Sequence, residues 1–235
     1  MFDAPASRVD QAIVEIRFEK NYLLWDRAGA IWAAASSRFP GLQVAQAQPN
    51  NAVFNHSDGL EFKVEPDKAA FIEVNADKEL NHFGQKAEQF LEIVISILGV
   101  TEITRAAVRI ILYQDHPSLA EATLRLARAS RTIGSIPTSI FNVKAPIKDL
   151  NITWRQDAED VGYRASIRSE NLEFSFDPPV GVRRHFKPEK KSESRVVLDI
   201  DYYTLVPIAL TQFKCREWVA QVLKSVRRDV KLIWE

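Results

Sequence analysis

Apolar and polar residues alternate singly in several short stretches of this chain and recur every third or fourth position in others. That contrast predicts its elements. AIVEIRFE, from Ala12, alternates with Ile13 or Val14, Ile16 and Phe18 apolar, and Glu15 and Arg17 between them, as a half-buried strand does. Asn21 then offers a cap for a helix whose stripe runs through Trp25, Ala28, Ile31, Trp32, Ala35 and Phe39, and Pro40-Gly41 stops it. Strands follow at LQVAQAQ, AVFNH, LEFKVE and AAFIEVN, with turns at Pro49-Asn50-Asn51 and Ser57-Asp58-Gly59. A second helix places Phe83, Ala87, Phe90, Leu91, Val94, Ile97 and Leu98 on one face and ends at Gly99.

The same order then returns. RAAVRIILYQ reads as a strand comparable with AIVEIRFE, and Ser118 with Glu121 forms a capping box for the helix LAEATLRLARAS. An aperiodic connector over 131–149 follows. NITWRQ, GYRASIRS and LEFSFD read as three strands, with turns at Asp157–Gly162 and Ser169–Asn171. A basic loop over 178–194 precedes the strand RVVLDIDYYT and a last helix that faces Cys215, Trp218, Val219, Val222, Leu223 and Val226 one way.

The fold class expected from this order is α+β: two tandem β-α-β-β-β-β-α repeats, 1–100 and 101–235, forming an antiparallel sheet with helices on one face and a pseudo-twofold relation. They stand either as two units or as one continuous domain. The connector and the basic loop account for the greater length of the second repeat, since insertions settle in connections. The helices should cover the apolar face and bury Trp25, Trp32, Phe90 and Trp218. This element order resembles the TATA-binding-protein-like fold, which implies a curved sheet with the helices on its convex side. IVEIRF, AAVRIILY and VVLDIDYYT before a Trp-bearing helix also resemble a sporadically distributed family of bacterial proteins about this long with duplicated halves. That resemblance implies no activity.

The chain has 235 residues, 46% hydrophobic and 26% charged, which suits a soluble globular protein. No apolar run is long enough to span a bilayer, so no membrane partner is expected. The first residues show no signal-peptide pattern, and a lone cysteine, Cys215, fits a reducing cytoplasm. Formal net charge is zero, yet residues 1–100 carry nine Lys/Arg against fourteen Asp/Glu and residues 101–235 carry twenty-two against seventeen. The halves therefore differ by sign, −5 and +5, which leaves open whether they face each other, face different partners or differ by drift.

Candidate chemistry gathers on the polar sheet face: Glu15, Arg17, Glu73, Arg109, Arg164, Arg168, Asp199 and Asp201. Alternation sets Asp199 and Asp201 on one side of their strand, about 7 Å apart, with Glu73 and Asn75 as counterparts in the first repeat. Such carboxylates and guanidiniums hold a polar ligand, act as acid and base, or simply pair across strands in solvent. Two aspartates make a metal site only with histidines from elsewhere. A second candidate surface is the loop with Arg183, Arg184, Lys187, Lys190 and Lys191, whose charge suits phosphates and whose Phe186 suits stacking on a base; a solvated loop is the plainer reading. The sequence carries no phosphate-binding glycine loop, nucleophile elbow or paired cysteine motif, so no cofactor is expected. The reading that results is a non-enzymatic cytoplasmic protein binding a protein or a small polar ligand on its sheet face. Nucleic acid binding and an enzyme using Glu73, Asp199 or Asp201 are the alternatives. A homodimer through the apolar helices and Trp234 is compatible with each.

Overall fold

The structure, a computed structural model, describes residues 7–76, 80–129, 139–140, 143–144, 150–176 and 189–234. In chain order the elements are β1 (Arg8–Arg17), α1 (Leu24–Arg38), β2 (Gln43–Gln48), β3 (Asn51–Asn55), β4 (Leu60–Glu65), β5 (Lys68–Val74), α2 (Phe83–Leu98), β6 (Glu102–Ile103) and β7 (Arg105–His116). Then come α3 (Leu119–Ala129), β8 (Ser139–Ile140), β9 (Val143–Lys144), β10 (Asn151–Asp157), β11 (Val161–Phe176), β12 (Glu189–Thr204), β13 (Ile208–Ala209) and α4 (Cys215–Trp234).

The protein is α+β. Nine strands form one antiparallel sheet in the order β10-β11-β12-β7-β1-β5-β4-β3-β2, and the helices pack on one side of it. β1 and β7 pair at the centre, Val14 opposite Val108, so strands from both ends of the chain share one sheet. Outward from β1 come β5, β4, β3 and β2; outward from β7 come β12, β11 and β10. After α3 the expected count of four sheet strands is three, because GYRASIRS and LEFSFD form a single strand. No turn interrupts it at Ser169–Asn171: β12 runs alongside from Thr204 back to Glu189 and supplies a partner for every residue of β11. Asn171 helps hold that register, its Oδ1 accepting hydrogen bonds from Ser192 and Ser194.

On the helix side, one row crosses the sheet from Phe54 through Phe62, Phe71, Val14, Val108, Tyr202 and Tyr163 to Gln156, each directly opposite the next. Directly opposed residues share a face, so this row is the floor of the core. Over its phenylalanine end, Phe39 and Phe90 lie 4.8 Å from Phe62, and Phe83 lies 5.6 Å from Phe71. All these rings are buried, and such close tilted pairs add to the burial itself.

α1 buries most of the stripe expected for it, Ile31, Ala35 and Phe39 fully and Ala28 in part, but not its two tryptophans. Leu24, Ile31 and Ala35 face the core, while Trp25 and Trp32 are 59% and 39% exposed on the outer surface. The inward line starts at Leu24 rather than Trp25 and continues through Ala28, Ile31 and Ala35, which leaves Trp25 and Trp32 at its outer margin. Asn21 is not its cap: its Oδ1 accepts from the Leu23 amide, and its Nδ2 donates to the Leu98 carbonyl at the end of α2. Phe90 is buried as expected, and Trp218 is partly buried against Phe213 and Tyr202. Ser118 Oγ accepts the Glu121 amide at the start of α3.

Candidate functional site: an arginine–carboxylate lattice on the open sheet face

On the face opposite the helices two rows cross the sheet. One contains Arg155, Arg164, Asp201, Arg109, Ile13 and Ile72. The next contains Asp157, Gly162, Tyr203, Ala107, Glu15 and Ala70. Alternation along the strands therefore brings Glu15, Arg17, Arg109, Arg164, Arg168, Asp199 and Asp201 to one surface, as expected. Glu73 is the exception. It stands directly opposite Ala12 and Leu60, both buried under the helices, so it faces the core side and meets Lys86 of α2 at 3.8 Å. The positions on β5 that share a face with Asp199 and Asp201 are Lys68, Ala70 and Ile72. Glu73, expected on the same face as Asp199 and Asp201, thus lies on the other face of the sheet.

The charges on the open face form connected chains. Glu15 holds Arg17 at 2.8 Å and Arg105 at 3.4 Å, and Arg105 also donates to Asp201 at 2.8 Å. Asp199 takes a two-pronged contact from Arg109, 2.8 Å at Nε and 2.6 Å at Nη2, with Arg168 at 4.0 Å. Arg168 continues to Glu170 at 3.0 Å, Glu170 to Arg195 at 2.5 Å, and Arg195 to Asp10 at 3.4 Å. Planar guanidinium forks suit this geometry, and several members are well shielded: side-chain exposure is 13% for Asp199 and 15% for Arg195. Hydrogen bonding to Asp199 raises the Arg109 guanidinium above its ordinary value.

A smaller cluster sits at the edge. Arg155 donates to Asp157 and holds its carboxyl below the usual range, and the Tyr203 hydroxyl donates to the same Asp157 oxygen at 3.0 Å. Gly162 makes room for this: a Cβ there would lie 2.3 Å from Asp157 Oδ1 and 2.9 Å from the Tyr203 ring. Arg105 stacks over the same ring, 4.6 Å from its centroid.

Arg164 is the odd member. Asp201 lies directly opposite it, but the Asp201 carboxylate is engaged by Arg105 across the other side. Among the described residues the Arg164 guanidinium has no ion-pair or hydrogen-bond partner. It is exposed and lines a depression of about 180 Å³ with Arg109, Ser166, Asp199 and Asp201. A second depression of about 180 Å³ adjoins it, lined by Ile13, Glu15, Arg17, Arg105, Ala107, Arg109 and Asp201.

The site contains residues that the sequence reading did not assign to it. Arg105 and Arg195 each lie four residues before a named one, and period two puts them on the same face. Asp10 could not be found that way. A bulge between Val9 and Gln11 breaks the alternation and releases Asp10 toward Arg195.

Of the basic loop, Arg183, Arg184 and Lys187, with Phe186, lie outside the described residues. Lys190 and Lys191 are not in a loop: β12 begins at Glu189 and includes both. Lys191 is exposed and is held by Glu193 at 2.5 Å. Cys215 is buried, and burial pushes its thiol up to about 12, so it is unreactive as a nucleophile at neutral pH. Among the described residues no three His, Cys, Asp or Glu side chains gather to hold a metal ion, and no helix is long and apolar enough to cross a membrane. No protein-family model matches the chain, and no curated protein is significantly similar to it in sequence.

Proposed function

We propose that this is a non-enzymatic cytoplasmic binding protein that takes an anionic group, from a small polar ligand or a protein partner, on the open face of its sheet. The observation that carries this reading is Arg164, a guanidinium without a partner among the described residues in a lattice whose other arginines are matched, beside a depression lined also by Ser166, Arg109 and the already engaged Asp199 and Asp201. An incoming carboxylate or phosphate completes the lattice there and displaces only water, whereas a cation meets carboxylates already engaged. The division of Glu73 from Asp199 and Asp201 speaks against an acid–base enzyme built on those three. The arrangement of strands on either side of the β1–β7 pair supports the resemblance to duplicated, TATA-binding-protein-like proteins as a proposal about ancestry.

Inorganic phosphate titrated against the nitrogen-15 side-chain signals of the arginines tests this. The Arg164 Nε–H signal should shift saturably, and the shift should vanish in Arg164→Met. Movement of every arginine in proportion to salt, with no preference for Arg164, would end the proposal.

A second reading rests on the ribbon formed by Leu172–Phe176 and Glu189–Glu193, which runs beyond the pairing with β7. Phe174 is 50% exposed there and stands directly opposite Lys191, an aromatic and a cation suited to single-stranded nucleic acid. A mobility-shift titration decides it: contact with phosphates must weaken steeply as salt rises.

A further inference from the structure

The two ends of the row that floors the core are not filled alike. Over Phe54, Phe62 and Phe71, the end of α1 and α2 supply Phe39, Phe83 and Phe90, all of them buried ring against ring. Over Tyr202, α4 places one ring, Trp218, partly buried with its centroid 6.5 Å away; the side chains that it buries fully, among the described residues, are Cys215, Val219, Val222, Leu223, Val226 and Val230, none of them aromatic. The difference in volume remains as an open-sided pocket of about 380 Å³ between α4 and β10–β12. Its walls are Trp154, Tyr163 and Tyr202 on the sheet and Val226, Val230 and Ile233 on the helix.

The polar groups around it are few and already balanced. Tyr163 donates its hydroxyl hydrogen to Gln156 Oε1 at 2.8 Å, which leaves the Gln156 amide hydrogens as donors. Asp229 at the rim is gripped by Arg228 through two contacts, 2.6 and 2.8 Å, so it offers no unneutralised charge. A pocket of a few hundred cubic ångströms with aromatic walls and one or two orienting polar groups is what small-molecule sites are made of.

We propose that this pocket is a binding site for a neutral, flat, one- or two-ring apolar molecule, held between the Trp154–Tyr163–Tyr202 wall and α4 and oriented by an acceptor atom toward the Gln156 amide. The site lies on the opposite side of the sheet from Arg164 and is independent of it. Charge decides the class: no unmatched cation or anion lines the space, so a charged ligand would lose hydration without compensation. Size decides the rest, since a ring system replaces the rings that close the phenylalanine end.

The probe is 6-propionyl-2-(dimethylamino)naphthalene, neutral, flat and two-ringed with a carbonyl acceptor, titrated into the full chain while its emission and the methyl NMR signals are followed. Saturable emission, with shifts concentrated at the methyls of Ile200, Val226, Val230 and Ile233, is the expected result. Val226→Phe, which puts a ring into the space, should weaken binding by about tenfold or more with no loss of melting temperature. Absence of saturable binding, shifts centred instead on residues near Trp25 and Trp32, or undiminished binding to a folded Val226→Phe would each overturn the proposal. So would methyl shifts that change on dilution without probe, because a second copy would then occupy the pocket. Should Val226→Phe not fold, the methyl map of the unaltered protein decides alone.

Discussion

Asp199 accepts two hydrogen bonds from Arg109 and lies 4.0 Å from Arg168, with 13% of its side chain exposed. Arg164 is close by on the same face with no partner among the described residues. Removing a member of a shielded pair strands its partner, whereas removing a lone surface cation strands nothing. Arg109 is 46% exposed, so water recovers part of the loss. Asp199→Ala should therefore cost about 1 kcal/mol in urea unfolding, and Arg164→Ala should stay within about 0.5 kcal/mol of the parent. Asp199→Ala should also tighten phosphate binding, because Arg109 is then freed to join Arg164. Weaker phosphate binding in that variant would show that Asp199 positions the site rather than competing for it.

Among the elements, the β3–β4 hairpin depends on one residue that no other can replace. Gly59 has φ +79°, and a Cβ there would come within 2.8 Å of the Val74 carbonyl oxygen. That oxygen belongs to β5, and the Gly59 carbonyl in turn accepts the Val74 amide at 2.8 Å. Gly59→Ala therefore meets both a disfavoured backbone region and a backbone atom, and should cost about 2 kcal/mol or more. Gly29 is the contrast. It sits inside α1 on the outer face with nothing within 4 Å of a Cβ, so Gly29→Ala should stabilise by about 0.5–1 kcal/mol. Thermal melts of the two variants moving in the same direction would refute this account. The helices and most strands were legible from periodicity, but the outward placement of Trp25 and Trp32 on α1 was not. Trp25 and Leu24 are both apolar neighbours, and only packing against α2 decides which one turns inward. β11 was read as two strands because Ser169-Glu170-Asn171 has turn composition; its long partner β12 overrides that local preference.

At the scale of the molecule, the core is dense at the β1–β5 end and hollow beneath β10–β12. Truncation should therefore cost unequally. Phe62, fully buried among Phe39, Phe71 and Phe90, should lose about 3–5 kcal/mol on replacement by alanine. Tyr163, toward the other end of the same row and half-buried beside the pocket, should lose roughly half as much. Equal losses by urea unfolding would mean that the pocket is closed in solution. The face shared by Glu15, Arg17, Arg109, Arg164, Arg168, Asp199 and Asp201 was legible, because a period of two fixes faces within a strand. Glu73 was misplaced because faces between strands depend on register, and register is set by which residues lie opposite.

The alternation and the helical spacing were enough, by themselves, to determine the α+β class, the antiparallel sheet with helices on one side, and the gathering of arginines and carboxylates on one surface; each follows from a local period. Which carboxylate each arginine grips, that Arg164 grips none among the described residues, that Glu73 turns toward Lys86, and that a pocket opens under α4 were decided only by the assembled sheet. Those outcomes depend on register, on a bulge at Asp10 and on the volumes of side chains distant in sequence, and none of these is a property of any single stretch of chain.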